Sequence, residues 1–350
     1  MPARNHKQWL KDPAVEFIRS TAYNSPEVFE QEQELIFKKV WVPMCHISEM
    51  YNLGNFRTTQ IAGINVIAIN EGKDVRAYIN DNPVMTSPSG TVMNYQGKEL
   101  HCEVKHGGMV WVTLNPDPDM TVEQWTAGAF DCITDAIDTE ELEVFHYHKA
   151  IIPTNYKLWH DTNSEFYHDF MHYFNRVTGF NDEYFARKNI AFDNGHVNVS
   201  SFTVNYTEFD KDGDRGELSF PNLPPNQWYM VDLFPGFNFN LRGSAYRSDS
   251  VTPLGPNKVM IEFRGYGLKS DSKEDRATRI KHHNSIWGPF GRNLHEDLIG
   301  VAGQGTTMRE GTETRNILHG RHENSTIHDE VGMRHYYEAW GNFLGVSPAN

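Results

Sequence analysis

The sequence predicts an α+β protein with a small β-rich first part and a larger second part, in which helices cover one face of a sheet. Short β-rich runs separated by Gly, Asn and Pro fill residues 41–114. Longer β-rich runs return between residues 196 and 268, after a long helical pattern at 157–175. An amphipathic pattern over 328–344 closes the chain, so that strands and helices are grouped rather than alternating.

The first predicted element is a helix over residues 24–40. Ser25 can cap its N-terminus, Pro26 suits its first turn, and apolar residues follow at helical spacing. We expect residues 1–40 to form an N-terminal helical segment that packs on the second domain. The β-rich runs that follow predict a small antiparallel β domain over 41–118.

The second domain is predicted to span residues 119–350. Its predicted helices cover about 121–138, 157–175, 271–287 and 293–302. The closing helix offers one apolar packing face, made of Met333, Tyr336, Tyr337, Trp340 and Phe343.

Composition narrows the class of partner. The net charge of −14 argues against a nucleic-acid partner and against an anionic membrane surface, since both need clustered Lys and Arg. The sequence contains no apolar run of membrane-spanning length, and the first residues lack the apolar core of a signal peptide. The three cysteines do not make a disulfide framework. A cytoplasmic enzyme is the expectation.

Two histidines four residues apart suggest a metal site. His168 and His172 would lie on one face of a helix, one turn apart, and Asp297 could supply a carboxylate, with Glu296 as its rival. Two His and one carboxylate leave open positions on iron(II) for dioxygen and substrate. The plain alternative is a pair of ordinary helix histidines. Another alternative is a zinc hydrolase, because HDFMH approximates H-E-x-x-H with Asp169 as the base.

The sequence around these histidines resembles a known family. The stretch NYKLWHDTNSEFYHDFMH (155–172) is similar to the iron-binding segment of the α subunits of Rieske-type aromatic-ring-hydroxylating oxygenases. Further similar blocks follow in the family's order: SPEVFEQEQELIFKKVWVPMCHISEM, GNFRTTQIAGINVIAINEGKDVRAYIN, LFPGFNFN, GPFGRNLHEDLIGVAGQG and DEVGMRHYYEAWGNFL. The resemblance implies a Rieske-like β domain followed by a helix-grip (START-like) catalytic domain.

The resemblance also implies roles for individual residues. His168, His172 and Asp297 match the family's iron ligands. Glu165 matches the acidic residue that links the iron site to the electron donor of a neighbouring subunit, although it could be a solvated helix carboxylate. Asp161 stands where the family often has Asn, and we expect a catalytic role for it unless it merely occupies the first turn of the helix.

The ligands of the family's iron–sulfur cluster are not found. A Rieske [2Fe–2S] centre needs two Cys and two His, but Asn82 and Val84 stand at the first Cys and His positions. In HCEVKHGG, the spacing of Cys102 and His106 is one residue too long for the second pair, so Cys102 is interpreted as an ordinary strand residue. The sequence therefore predicts a mononuclear iron(II) centre and no [2Fe–2S] cluster in this chain.

Without a cluster, the chain would need partners. The resemblance implies electrons from a Rieske-bearing α-type subunit or from a reductase or ferredoxin, within a trimer-based hetero-oligomer that also includes, in some relatives, a small β subunit. The expected reaction is hydroxylation, dihydroxylation or oxidative demethylation of an aromatic or planar organic substrate with dioxygen. The alternative is a non-catalytic structural or regulatory subunit.

The substrate pocket is less well defined by the sequence than the metal site. Residues near the iron segment or on strands of the second domain are its candidates, although each could simply be core: Asn163, Phe170, Met171, Phe180, Leu233, Phe239 and Trp287. The remaining histidines, including His148 and His283, are expected to lie at the surface or to make local hydrogen bonds.

Overall fold

Two antiparallel sheets and the helices around them make up the part of the chain that the structure describes. The structure is a computed structural model, and it describes residues 17–81, 84, 86–87, 89–92, 95–204, 218–310, 315–317 and 326–346. The two larger sheets have six and seven strands. Among the described helices, none combines the length and the apolar composition needed to span a bilayer.

The N-terminal segment is helical, as predicted. It contains strand β1 (Phe17–Arg19), helices α1 (Thr21–Asn24) and α2 (Pro26–Glu32), and a π-helical turn over Gln33–Phe37. The Ser25 hydroxyl accepts a hydrogen bond from the Val28 N–H at 3.2 Å and so caps α2. The Glu32 carboxylate accepts a hydrogen bond from the Trp340 indole at 2.7 Å, so the segment packs on the last helix of the chain.

The first sheet is the predicted small β domain. Its strands are β2 (Val42–His46), β3 (Phe56–Ile61), β4 (Ile64–Asn70), β5 (Val75–Ile79), β6 (Glu99–Lys105) and β7 (Met109–Thr113), in the spatial order β2-β7-β6-β5-β4-β3. The segment between β5 and β6, where the sequence lacks cluster ligands, includes an antiparallel bridge between Thr86 and Val92. Asn82 lies outside the described residues.

The prediction of one continuous helix over residues 121–138 is wrong. Two short helices replace it, α3 (Val122–Thr126) and α4 (Thr134–Ile137). The break follows from local backbone geometry, because Ala127 adopts a left-handed conformation with φ 53° directly after α3.

The second sheet is the larger scaffold. Its strands are β8 (Leu142–Ile152), β9 (Asn189–Ala191), β10 (Val197–Thr203), β11 (Gln227–Leu233), β12 (Phe237–Arg242), β13 (Ala245–Gly255) and β14 (Lys258–Leu268), in the order β8-β14-β13-β12-β11-β10-β9. One face meets the first domain, where the Ser250 hydroxyl donates to the Pro43 carbonyl at 3.0 Å. Helices cover the other face.

The remaining helices are α5 (Tyr156–Glu165), α6 (Tyr173–Thr178), α7 (Asp182–Ala186), α8 (Lys273–Trp287), α9 (Arg292–Glu310) and α10 (Val331–Leu344), and strand β15 (Arg315–Ile317) pairs with β1. Helix α9 runs eight residues further than the predicted end at 302. Gly305 within it lies against the 153–154 backbone, where an added Cβ would be 2.5 Å from the Thr154 hydroxyl. The predicted packing face of α10 is confirmed, with Met333, Tyr336, Tyr337 and Trp340 buried and Phe343 half-buried.

Candidate metal centre

The two histidines are not on one continuous helix. Helix α5 ends at Glu165, Phe166 takes a left-handed conformation with φ 60°, and a 3-10 turn covers Tyr167–Phe170. His172 then occupies the residue before α6 in an extended conformation. The prediction of one helix over 157–175 is therefore wrong, and a tight turn rather than helical spacing brings the two rings together.

The imidazoles of His168 and His172 converge on one carboxylate of α9. The Nε2 atoms of His168 and His172 lie 3.3 Å and 2.8 Å from Oδ1 of Asp297. The two rings are nearly perpendicular, with centroids 5.1 Å apart. Ligands bound at about 2.1 Å to one ion, and about 90° apart, lie about 3 Å from each other. The distances from Oδ1 of Asp297 to the two Nε2 atoms therefore fit donors on one face of a single ion.

Two glutamates fix the orientation of these rings. The Nδ1 atom of His168 lies in close hydrogen-bond contact with Glu165, and Nδ1 of His172 lies 2.7 Å from Oε2 of Glu296. Glu165 also accepts a hydrogen bond from the backbone N–H of His168 at 3.2 Å. Such outer partners hold each ring with its Nε2 towards the shared point and make the ring a better donor. Glu296, the rival of Asp297, contacts the far side of its histidine instead.

Asp169 is a second carboxylate near the imidazoles. His168, His172 and Asp169 offer donor atoms within 4.8 Å of one another. Both oxygens of Asp169 are nevertheless engaged, Oδ1 by the Asn175 amide at 2.9 Å and Oδ2 by the Tyr184 hydroxyl at 2.8 Å. Oδ1 of Asp297 is buried and makes no well-directed hydrogen bond within the described part of the chain. Asp297 is therefore the better placed third donor.

The electrostatics of the centre suit a cation. Burial would lower the pKa of both histidines, but Glu165 and Asp297 raise the pKa of His168 above its ordinary value, and Asp297 together with Asp169 raises that of His172. Burial would raise the pKa of Asp297, but the two imidazoles hold it well below its usual range. Without a metal, the cluster thus keeps protons where an ion would supply positive charge.

We expect the affinity of the metal-free protein for iron(II) to rise with pH. A metal ion needs neutral imidazoles, and protons held above the ordinary histidine pKa of 6.5 must leave first. Anaerobic titration calorimetry from about pH 6 to about pH 8, in buffers of different ionisation enthalpy, would measure affinity and proton release together. Equal affinity across this range, with no proton released, would contradict the protonated cluster.

The structure places Asp161 in a buried polar contact between helices. Its carboxylate accepts hydrogen bonds from the hydroxyls of Tyr23 at 2.9 Å and Tyr337 at 3.0 Å. Burial raises the pKa of Asp161 to about 6. These contacts join α5 to α1 and α10, and they support a structural role. The catalytic role expected for Asp161 stays a prediction.

Two candidate pocket residues lie on the face of the second sheet that meets the first domain. Leu233 and Phe239 share a face because each strand alternates its side chains. The Phe239 ring contacts Phe130 and Trp111, with centroids 4.8 Å and 6.2 Å away, and so packs towards the first domain. Both side chains are fully buried there, and their membership of the substrate pocket stays a prediction.

This placement can be tested with Phe239→Ala. We expect the free energy of unfolding to fall by about 3–5 kcal/mol, as for other buried aromatic truncations. Urea unfolding of this variant and of wild type would measure the loss. If stability is unchanged and substrate preference is altered, Phe239 lines the substrate pocket and is not a core residue.

The other candidate pocket residues divide between the interior and the surface. Trp287 is buried, and the guanidinium carbon of Arg247 lies 4.8 Å from its ring centroid. The Asn163 amide donates to the Trp159 carbonyl at 2.9 Å. Phe170 and Met171 are exposed, and Phe170 contacts the ring of Phe180 at 4.7 Å. Pocket membership of these five stays a prediction.

A polar group on the helix-covered face was missed by the sequence analysis. Arg247 and Asp249 lie side by side there, with Nη2 of Arg247 2.8 Å from Oδ2 of Asp249. His283 is fully buried, although it was expected at the surface or in local hydrogen bonds. Two opposite charges two positions apart in a long β-rich run, which places them on one face, were the signal available in the sequence.

A family model and two curated proteins match this chain. The family model of the ring hydroxylating alpha subunit (catalytic domain) matches residues 139–345. The methanesulfonate monooxygenase hydroxylase subunit alpha of Methylosulfonomonas methylovora is 54% identical over 405 residues, covering 100% of this chain and 97% of that protein. The 2-aminobenzenesulfonate 2,3-dioxygenase subunit alpha of Alcaligenes sp is 31% identical, covering 98% of each.

Solved structures share the fold. Naphthalene 1,2-dioxygenase from Rhodococcus sp. superposes with a TM-score of 0.76 at 16% identity, covering 97% of this chain and 98% of that one. A quaternary ammonium Rieske monooxygenase superposes with a TM-score of 0.73 at 17% identity, covering 96% and 98%. These matches confirm the predicted α+β fold class. The family model and the two curated relatives together establish that this chain belongs to the family of ring-hydroxylating oxygenase alpha subunits, which are oxidoreductases.

Proposed function

We propose that this chain is the iron-binding alpha subunit of a multicomponent oxygenase that hydroxylates a small organosulfonate with electrons from a partner. The single observation that carries the proposal is the convergence of two imidazole Nε2 atoms on Oδ1 of Asp297, at 3.3 Å and 2.8 Å. When bound, iron(II) supplies open coordination positions and the redox chemistry that activates dioxygen. His168, His172 and Asp297 would hold it.

The chain's own residues prepare the site for that ion. Glu165 and Glu296 hold the two imidazoles from behind, so that little reorganisation is needed when the ion binds. Glu165 is also partly exposed, with 14% of its side chain accessible. This position supports a second role for Glu165, as the contact through which electrons arrive from a partner.

The absence of a Rieske cluster from this chain is part of the proposal. Val84, at the position of a cluster histidine, packs against an apolar cluster that includes Ile67, Tyr78 and Val92. Burial raises the pKa of the Cys102 and Cys132 thiols to about 12, which disfavours the thiolates that a cluster needs. The alignment with the methanesulfonate relative runs over 405 positions, against 350 residues here, so that relative has positions without a counterpart in this chain.

The names of the two curated relatives support the proposed substrate class. One is named for methanesulfonate and the other for 2-aminobenzenesulfonate, so the feature they share is the sulfonate group rather than an aromatic ring. The balanced reaction inserts one oxygen atom of O2 into a C–H bond. The other oxygen atom leaves as water with two protons and two electrons, and a partner protein supplies the electrons from NAD(P)H.

Iron-loaded protein offered methanesulfonate tests the proposal. Hydrogen peroxide carries the oxygen atom and both electrons, so we expect it to give hydroxylated product from the isolated chain, detected by mass spectrometry. NADH with a simple reductase should give none, because no cluster relays the electrons. Full NADH-driven turnover by the isolated chain would overturn the need for a cluster-bearing partner.

The lost cluster ligands also favour a second candidate function, a non-catalytic subunit of such an oxygenase. Metal analysis separates the two. About one iron per chain after anaerobic reconstitution supports the catalytic subunit. No iron, together with normal assembly into a larger complex, would support the structural subunit. Zinc at one per chain would favour a hydrolase.

A further inference from the structure

The helix-covered face of the second sheet carries a compact polar group. Strand register places Arg247 of β13 opposite Gly265, and Asp249 opposite Phe263 and Asn238, with all five on one face. His148 on β8 pairs with Phe263, so its side chain lies on the same face of the sheet. A patch of polar side chains is therefore fixed at the centre of the sheet by regular pairing.

Two helices close over this patch. Trp159 of α5 lies edge-on to Phe263, with centroids 5.6 Å apart. Trp287 of α8 lies under the guanidinium of Arg247 at 4.8 Å. His283 of α8 sits directly on Gly265, where an added Cβ would be 2.5 Å from the imidazole. Arg247, Asp249, Asn238 and His283 are buried beneath these rings, whereas His148 is half-buried.

Several buried polar atoms of this enclosure have no hydrogen-bond partner within the described residues. They are Nη1 of Arg247, Nδ2 and Oδ1 of Asn238, Nε1 of Trp159, Nε2 of His148 and both ring nitrogens of His283. Nε of Arg247 and Oδ1 of Asp249 also make no well-directed hydrogen bond, although they face each other at 2.8 Å. Buried polar atoms are nearly always paired in native proteins, because an unpaired one costs about 1–3 kcal/mol. So many in one place indicate a site that a polar ligand fills.

The chemistry of these atoms selects an anion. Arg247 offers a permanent positive charge, and its Nε and Nη2 edge is taken by Asp249, which leaves Nη1 for a ligand. Asn238 and Trp159 add N–H donors, and the neutral imidazoles of His148 and His283 carry one N–H each. A sulfonate has three acceptor oxygens and no donor, so it needs such a donor-rich surround.

The enclosure lies on the side of the sheet that carries the metal centre. The Ser164 hydroxyl, near the end of α5, donates to Asp232 at 2.6 Å, and Asp232 pairs across strands with Asn238. His168 follows four residues after Ser164. Burial raises the pKa of Asp249 to about 7 against the opposing pull of Arg247, and the nearby carboxylate of Asp297 adds to the rise. A substrate held here would lie on the same side of the sheet as His168, His172 and Asp297.

We propose that Arg247, with the N–H donors of Asn238, Trp159 and His283, forms the subsite that binds the sulfonate group of the substrate. This proposal rests on the proposed function and adds the residues that recognise the substrate. Arg247 gives the charge selectivity. The neutral donors complete the hydrogen bonding of the three oxygens.

The test is titration calorimetry of the iron-loaded full chain, kept anaerobic, with methanesulfonate and with dimethyl sulfone, its neutral analogue of similar size. Wild type is expected to bind the sulfonate clearly more tightly than the sulfone. Arg247→Gln should weaken sulfonate binding about tenfold to a hundredfold, the loss typical of a charged hydrogen-bonding partner. Binding of the sulfone should change little.

Matched variants keep this test decisive. The double variant Arg247→Gln/Asp249→Asn removes both charges together, so no uncompensated charge is buried and the fold is protected. Lys149→Gln removes a cation whose ammonium lies 3.3 Å from Glu262, on the face towards the first domain, and should leave binding unchanged. Circular dichroism would verify that each variant is folded.

The results of these titrations distinguish a failure of the proposed subsite from a failure of the proposed function. Sulfonate binding by the folded double variant equal to that of wild type would overturn the subsite while leaving the iron centre intact. No sulfonate binding by wild type that holds iron would overturn the subsite and the substrate class together. Loss of binding in both Arg247 variants, together with wild type that holds iron and binds the sulfonate but gives no product with peroxide, would support the subsite and contradict the oxygenase.

Discussion

Asp297→Asn is expected to abolish iron binding and every activity that depends on iron. The substitution removes the negative charge of the carboxylate whose Oδ1 lies 3.3 Å and 2.8 Å from the Nε2 atoms of His168 and His172. Removing a side chain that only hydrogen-bonds to a metal-binding residue typically lowers metal affinity about 10–100-fold. Loss of a side chain that binds the metal directly should therefore lower the affinity by more than about 100-fold. Iron content after anaerobic reconstitution and desalting would measure the effect.

The neighbouring carboxylates provide matched controls. Asp169→Asn should retain iron, because the oxygens of Asp169 already accept hydrogen bonds from Asn175 and Tyr184. Glu296→Gln should lower iron affinity by about 10–100-fold, since Glu296 only orients His172. Normal iron content in Asp297→Asn, with loss in Asp169→Asn, would exchange the roles of the two aspartates.

Lys157→Met is expected to lower the free energy of unfolding by about 3–5 kcal/mol. The side chains of Lys157 and Glu32 are both fully buried and form an ion pair. Removing the ammonium would leave the Glu32 carboxylate buried and without its counter-charge, although the Trp340 indole would still donate to it at 2.7 Å. Urea unfolding followed by circular dichroism would measure the difference from wild type.

Two further variants give this prediction its reference points. Lys157→Met/Glu32→Leu removes both charges and should recover much of the lost stability, because a buried pair and an apolar replacement are often nearly equivalent. Lys38→Met breaks the exposed pair with Glu34 and should cost less than about 1 kcal/mol. Equal losses in Lys38→Met and Lys157→Met would show that burial of the pair has no energetic consequence.

Local patterns in the sequence predicted most elements but not their breaks. The capped start of α2 and the apolar face of α10 follow from residue spacing, and both are observed. The long helices predicted over 121–138 and 157–175 are each interrupted, at Ala127 and Phe166, where the backbone becomes left-handed. Neither residue has a side chain that favours this conformation, so surrounding contacts decide it rather than local preference.

The candidate pocket shows a second limit of prediction from the sequence. Spacing along a strand shows which residues share a face, but not which face meets the helices. Leu233 and Phe239 were assigned to the pocket, whereas Arg247 and Asp249 occupy the helix-covered face. The choice depends on which side the first domain covers, and that contact joins residues far apart in the chain.

The sequence by itself indicated the candidate donors, which are His168, His172 and a carboxylate from Asp297 or its rival Glu296. Tertiary structure decided how those donors meet. Asp297 reaches the two imidazoles from α9, more than a hundred residues later, and Glu165 and Glu296 orient the rings from opposite sides. The physical reason is that a donor's type is a property of one residue, whereas its position and orientation depend on packing between distant elements.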